Sequence, residues 1–206
     1  MNKTILVCCG TGCIANGSRE IYQALAEELK TENSFQVKML VKATGCNGWC
    51  EKGPLVKIMP DDITYCRVKL SDTAEIVEKT IKEGQVINRL LYRDPQTKEY
   101  CRSHHDTNFY KKQMKVALKN IGEVDPASLE DYLAHGGYQA LRKALAMPRE
   151  EIIQEVIASG LRGRGGGGFR TGLKWQACAK TSNTPRYIIC NGDEGDPGAF
   201  MDRSIM

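Results

Sequence analysis

No stretch of this 206-residue chain approaches the eighteen or so consecutive apolar residues that a membrane-crossing helix needs. At the N-terminus, the apolar run in Met1-Asn2-Lys3-Thr4-Ile5-Leu6-Val7-Cys8-Cys9 is too short for a secretory signal and leads straight into cysteines. The C-x-x-C spacing of a thiol–disulfide catalyst is absent, although there are nine cysteines. A Walker loop would need Gly-Lys-Ser or Gly-Lys-Thr, and neither occurs. There is no long basic block and no internal repeat, so the net charge of +4 is spread thinly and does not argue for nucleic acid. With these classes set aside, the expected location is cytoplasmic.

A hydrophobic content of 41 % beside 26 % charge is that of an ordinary globular protein with room for one or two modest cores. Nine cysteines in a chain without an export signal point to metal or redox work rather than a disulfide framework.

Residues 1–84 read as a compact α/β unit with the order βαβββα. Thr4–Val7 is a short apolar strand, and Ser18 is placed to cap a helix whose Ile21, Ala24, Leu25 and Leu29 share a face. Phe35, Val37, Met39, Val41 and Ala43 alternate as a half-buried strand does. Leu55–Met59 and Ile63–Val68 are further strands across the turn signal Pro60-Asp61-Asp62. Asp72 and Glu75 resemble a capping box opening a last helix that carries Ile76, Val77 and Ile81 and stops at Gly84.

Residues 85–123 are polar and weakly patterned, a connector with a short strand or helix. In 124–206, Asp125-Pro126 is expected to open a helix that Gly136-Gly137 ends. Tyr138–Ala146 is a second helix. A third starts at Pro148, buries Ile152, Ile153, Val156 and Ile157, and stops at Gly160. Leu173–Lys180 can be helical, and Arg186–Cys190 reads as a strand entering the acidic turn Asn191–Gly198.

Cys8 and Cys13 are spaced C-x4-C, and Cys46 and Cys50 are spaced C-x3-C. Each pair follows a predicted strand of the βαβ unit, so both belong on loops at one end of a parallel pair. Gly10, Gly12, Gly45 and Gly48 crowd them. Four thiolates from two such loops suit a [2Fe–2S] cluster whose sulfurs accept backbone N–H bonds. Structural zinc is the main alternative metal, its pairs usually sitting on knuckles with two to four intervening residues. Cys66 and Cys190 lie in apolar strands and read as core. Cys101-Arg102-Ser103-His104-His105 lacks a partner cluster and reads as solvated connector, and His135 as a helix C-terminal residue.

Seven of the twenty glycines fall within Gly160–Gly172, interleaved with Arg162, Arg164, Phe169 and Arg170 and followed by Lys174 and Trp175. A backbone without Cβ atoms can approach a ligand and turn its amides to an anion, while the cations and rings add charge and stacking faces. Gly163-x-Gly165-x-x-Gly168 matches a dinucleotide fingerprint by spacing, but a helix precedes it where that fingerprint needs a strand. Helix, glycine loop, helix remains, suited to a phosphorylated cofactor.

Two long segments carry a family resemblance. Ser159–Trp175, with Gly-Leu-Arg-Gly-Arg-Gly-Gly-Gly-Gly-Phe-Arg-Thr-Gly-Leu-Lys inside it, and Cys190–Arg203, with Asn-Gly-Asp-Glu-Gly-Asp-Pro-Gly-Ala-Phe-Met-Asp, resemble the flavin- and NADH-binding segments of the family of the complex I 51-kDa subunit. Within it the chain is most similar to the flavoprotein subunits of NAD(P)-linked, often electron-bifurcating, hydrogenases and formate dehydrogenases. The unit holding Cys8, Cys13, Cys46 and Cys50 resembles the thioredoxin-like [2Fe–2S] ferredoxin domain fused to those members. The likeness continues through Phe109–Gln113 and the Asp125–Leu145 helices.

The resemblance implies an α/β chain: a thioredoxin-like ferredoxin domain (1–84), a connector (85–123), then a helical segment and the start of an α/β FMN-binding domain (124–206). It implies that Gly163, Arg164, Gly165, Gly166, Lys174, Asn191, Asp193 and Glu194 line FMN, and that Phe169 stacks on the nicotinamide nucleotide. Asp196 stands where respiratory members usually carry Glu. Arg170 replaces a usual Pro and Gly192 a usual Ala. NAD(H) or NADP(H) is the implied substrate, other subunits of a soluble multi-subunit redox complex are the implied partners, and no acid or base is named as catalytic. Because the family continues past Met206, the chain is expected to be a fragment or truncated frame, with a [4Fe–4S] cluster expected only in the remainder. A non-catalytic electron-transfer module is the alternative, and a zinc-holding phosphate-ligand protein a weaker third.

Overall fold

In the computed structural model, residues 3–31, 39–164, 166–199 and 201–205 are described. They form two compact units, Met1–His135 together with Glu194–Met206, and Gly136–Asp193. No helix among the described residues is long and apolar enough to cross a membrane.

The first unit opens with β1 (Lys3–Cys8), the single turn α1 (Thr11–Ile14), α2 (Ser18–Thr31) and β2 (Met39–Thr44). After a short turn at Cys50–Lys52 come β3 (Val56–Met59), β4 (Ile63–Tyr65) and α3 (Thr73–Glu75), which continues with π-helical pairing over Ile76–Lys82. This is the expected βαβββα order. The sheet runs β2-β1-β3-β4, with β1 parallel to β2 and both other pairings antiparallel. Strand alternation divides its faces. Ile5, Val7, Val56, Ile58, Ile63 and Tyr65 pack on Ile21 and Leu25 of α2 and on Ile76, Val77 and Ile81. Each large aliphatic buried this way contributes about 1.5–3 kcal/mol of transfer free energy. Phe35 and Val37, expected in the second strand, lie outside the described residues.

Register places Lys42, Leu6, Lys57 and Thr64 in one row on the opposite face. Residues 86–91 join the first core, and the segment that follows packs on the opposite face, so the solvated-connector expectation needs correction. It forms the hairpin β5 (Tyr92–Arg93) and β6 (Tyr100–Cys101), then α4 (Asn108–Lys111) and α5 (Leu129–Ala134). Lys57 pairs with Glu123 and Lys42 with Asp131. His104 and Tyr110 are buried, and His104 meets Thr64 through Nδ1 and Oγ1 at 3.5 Å. Its polar residues are there to satisfy the two lysines and Thr64, a demand that local patterning does not reveal.

Three predicted caps are also redrawn. Ser18 is the first residue of α2, and the Gly17 carbonyl accepts the Ile21 amide at 3.2 Å. Asp72 turns its carboxylate upstream to the Lys69 amide (2.8 Å) and to Arg89 (2.9 Å) instead of capping α3. Asp125 closes a local turn onto the Ala127 amide, and Ser128 caps α5 by accepting from Asp131. His135 closes α5, its Nδ1 2.8 Å from the Asp131 carbonyl, and Gly136 follows at φ +85°.

The second unit holds α6 (Gln139–Leu145), α7 (Arg149–Ala158) and α8 (Thr171–Ala179). Ile152, Ile153, Val156 and Ile157 are half-buried. A Cβ on Gly172 would fall 2.6–2.8 Å from Ile157, so α7 and α8 approach closely only because that residue is glycine. The expected strand Arg186–Cys190 is irregular, and Tyr187, Ile188, Ile189 and Cys190 are exposed. A strand needs a neighbour for its backbone hydrogen bonds, and among the described residues of this unit no other strand exists to supply one. Cys190 is therefore not a core residue here. A short helix, α9 (Met201–Ile205), ends the described chain.

Candidate functional site

β1 ends at Cys8 and β2 at Thr44, and being parallel they deliver the two cysteine loops to one end of the sheet. Cys8 and Cys13 are buried, Cys46 is partly covered, and Cys50 is exposed. The Cys46 and Cys50 sulfurs lie 3.8 Å apart, and Cys8 is within thiol hydrogen-bond reach of Cys13 and Cys46. All four predicted ligands are brought together.

Glycine makes the gathering possible. A Cβ on Gly10 would fall 2.6 Å from the Cys46 Cβ, one on Gly12 would meet Cys50 Cβ and Sγ at 3.2 and 3.3 Å, and one on Gly53 would fall 2.5 Å from Cys13 Sγ. Gly45 faces open space and is not needed in this way. Backbone amides point inward: Gly10 and Asn47 toward the Cys8 sulfur, Leu55 toward Cys13, and Gly48 toward Cys46 at 3.3 Å.

Electrostatically the nest accepts one negative charge readily and resists more. Hydrogen bonds from Cys13, and next from Cys46, hold the Cys8 thiol far below the ordinary thiol range. The same bonds, with burial, push Cys13 and Cys46 far up. Full ionisation thus requires metal cations, whose charge deprotonates coordinating thiols outright. Among the described residues, no three His, Cys, Asp or Glu side chains converge on a single-ion position. Four thiols with inward amides fit a two-iron cluster, which takes two thiolates at each iron. Cys66 is buried in the cluster that packs beside the nest, its thiol pushed up to about 12 mainly by desolvation. Cys9 and Cys101 are partly buried and also raised, chiefly by burial.

Sequence reasoning missed the roof over this nest. Trp49 meets Tyr92 edge-on at 4.9 Å and Tyr110 at 5.6 Å, and Tyr110 donates its hydroxyl to the Asn47 carbonyl at 2.7 Å. Cys8, Cys13, Trp49, Leu55, Cys66 and Tyr110 form one buried cluster. The sequence signal was slight: an aromatic within the ligand loop, and Tyr92 and Tyr110 among the four aromatics of the connector.

The glycine-rich segment folds as helix, loop, helix. Leu161 accepts from Thr171 and Phe169 from Gly163, each at 2.9 Å, so the two stems of the loop pair. Gly166 and Gly168 hold positive φ of +88° and +56°, which a side chain would resist. Gly163, Arg164, Gly166, Phe169 and Lys174 are thereby gathered in one loop and the following helix, and Gly165 lies outside the described residues. Lys174 Nζ stands 5.6 Å from the centre of the half-exposed Phe169 ring. Asn191 accepts the Asp193 amide at 3.0 Å in an exposed turn. Glu194 and Asp196 fall in the other compact unit, where Glu194 accepts the Asp202 amide at 2.9 Å.

Residues 2–81 match the sequence model of thioredoxin-like [2Fe-2S] ferredoxins. The first domain is a thioredoxin-like [2Fe-2S] ferredoxin. Residues 156–206 match the Nuo51 FMN-binding domain, so the chain carries a ferredoxin segment and a flavin-binding-domain segment. Over 100 residues the chain is 47 % identical to the NADP-reducing hydrogenase subunit HndC of Solidesulfovibrio fructosivorans, covering 48 % of this chain and 20 % of that protein. Over 141 residues it is 33 % identical to the mitochondrial NADH dehydrogenase (ubiquinone) flavoprotein 1 of Dictyostelium discoideum, covering 68 % and 29 %. The chain thus spans less than a third of the length of these curated relatives. The crystallised thioredoxin-like [2Fe-2S] ferredoxin of Aquifex aeolicus is 35 % identical, with 43 % of this chain and 88 % of that chain covered and a TM-score of 0.41.

Proposed function

We propose that the chain is part of the flavoprotein subunit of an NAD(P)H-linked oxidoreductase, working in a cytoplasmic, multi-subunit redox complex of the hydrogenase or formate dehydrogenase type. Cys8, Cys13, Cys46 and Cys50 hold the [2Fe–2S] cluster. Gly163, Arg164, Gly165, Gly166, Lys174, Asn191, Asp193 and Glu194 line FMN, and Phe169 and Asp196 contact the nicotinamide nucleotide. FMN supplies the conversion between two-electron hydride chemistry and one-electron transfer. The chain's own residues place and tune: loop amides and Arg164 hold phosphate, Phe169 offers a stacking face, and the ferredoxin loops shield all but the Cys50 edge. The observation that carries this reading is a four-thiol nest and a paired-stem glycine loop within one chain.

The test is anaerobic purification of the full chain with FMN supplied, followed by flavin content and bleaching of the flavin absorption by NADH and by NADPH. Bound flavin that either nucleotide bleaches is expected. Iron and sulfide present without any flavin binding would favour the second reading, a one-electron transfer module. The exposed, irregular segment 187–190 is the feature that speaks for that alternative.

A further inference from the structure

A residue beyond the ferredoxin match at residues 2–81 is hydrogen-bonded to the ligand loop. Asn47 and Gly48 share one peptide unit. At its N–H end, Gly48 donates to the Cys46 sulfur at 3.3 Å. At its C=O end, Asn47 accepts the Tyr110 hydroxyl at 2.7 Å. Tyr110 belongs to α4, far along the chain, and its ring is wedged between Trp49 and His104, 5.6 and 4.9 Å away and nearly perpendicular to both. Asn47 is buried and is gripped a second time, because Gly122 comes so near that a Cβ there would fall 2.0 Å from the Asn47 Oδ1. Gly48 sits at φ +79° with nothing around a would-be Cβ, so its own surroundings do not hold the peptide.

We propose that Tyr110 is a positioning residue for the cluster: its hydroxyl fixes and polarises the Asn47–Gly48 peptide so that the amide is presented to the Cys46 sulfur. This rests on the assignment of the four cysteines as cluster ligands. A hydrogen bond accepted at C=O strengthens the donor at the other end of the same peptide. An amide donated to a ligand sulfur stabilises the additional negative charge of the reduced cluster and so raises its potential. The segment linking the two cofactor domains therefore sets the redox poise of the first.

The experiment compares the full chain with Tyr110→Phe, which keeps the ring and removes only the hydroxyl, and with Tyr100→Phe, an exposed control in the β5–β6 hairpin. Iron and sulfide content is measured first, then the midpoint potential by EPR-monitored titration. Tyr110→Phe is expected to keep its cluster but to lower the reduced-to-oxidised ratio at fixed poise by up to tenfold, ~59 mV for one electron. Tyr100→Phe is expected to match the unaltered chain. Replacing Tyr110 with 3-fluorotyrosine, a stronger donor of nearly the same shape, is expected to move the potential the opposite way. That second arm decides the matter if Tyr110→Phe does not fold. A cluster-loaded Tyr110→Phe chain with unchanged potential, or a fluorotyrosine chain moving downward, would overturn the proposal alone. A parent chain lacking iron and sulfide would overturn the ligand assignment and this proposal with it.

Discussion

Replacing Gly10 by alanine tests the cysteine nest without touching a ligand. Gly10 has φ −65° and ψ 157°, extended backbone open to any residue, so alanine meets no conformational penalty. By restricting the unfolded chain, such a change would by itself stabilise by about 0.4–1 kcal/mol. Sterics oppose it: the new Cβ would lie 2.6 Å from Cys46 Cβ and 2.9 Å from Cys46 Cα, about 1 Å inside ordinary carbon contact. Cα is backbone and cannot rotate away, so the two loops must separate, at a typical overpacking cost of about 1–3 kcal/mol. The net expectation is about 1–2 kcal/mol of destabilisation and reduced cluster occupancy. Gly12→Ala meets only the Cys50 side chain, at 3.2 and 3.3 Å, and should have a smaller effect. Gly45→Ala meets nothing within 4 Å and should be neutral or slightly stabilising. Thermal unfolding and iron per chain, measured across the three variants, should rank Gly10 worst, Gly12 intermediate and Gly45 unaffected. Equal behaviour of Gly10→Ala and Gly45→Ala would refute the steric reasoning.

The strap over the second sheet face makes two further predictions. The Lys57 side chain is only 3 % exposed and faces Glu123. Glu123→Gln, which strands a buried ammonium, should lower stability in urea unfolding by about 1–3 kcal/mol, discounted from the usual cost of a broken buried pair because Glu123 is partly solvated. Adding Lys57→Met should restore most of that loss; an unrestored double variant would show that the pair is not the source. Burial holds His104 down to about 3, so between that value and the ordinary 6.5 the unfolded chain takes up a proton that the folded chain refuses. Stability should therefore fall as pH drops below about 6.5, by at most about 1.4 kcal/mol per unit. His104→Gln should flatten this slope in denaturation series at pH 7, 6 and 5, and an equal slope in both chains would contradict the assignment.

What the sequence could disclose followed from local chemistry. Alternation at Val41 and Ala43, the helical face of Ile21 and Leu25, and turn residues 60–62 prescribed the βαβββα order, and parallel β1 and β2 carried the four cysteines to one end. The glycine loop was likewise readable, because Gly166 and Gly168 answer a backbone demand that only glycine meets cheaply. Long-range partners were not readable. Ser128 and not Asp125 caps α5, since Asp125 spends its carboxylate on its own turn. The polar residues of 85–123 looked solvated because Lys57 and Thr64, which Glu123 and His104 meet, are distant in sequence. Gly53, Tyr110 and Gly122 escaped for the same reason: each matters through one contact with a cysteine loop, and no periodicity marks it. The strand expected at 186–190 failed because apolar, β-branched composition favours extension only where a neighbouring strand completes the ladder.

The central claim is that Cys8, Cys13, Cys46 and Cys50 together hold one two-iron cluster. Iron, acid-labile sulfide and zinc should be measured per chain after anaerobic purification of residues 1–206, in the parent and in Cys46→Ala, which leaves no donor atom, with Cys66→Ala as a control. About two iron and two sulfide in the parent and the control, sharply reduced in Cys46→Ala, is the expected result. Zinc without sulfide in the parent, or an undiminished cluster in Cys46→Ala, would contradict it.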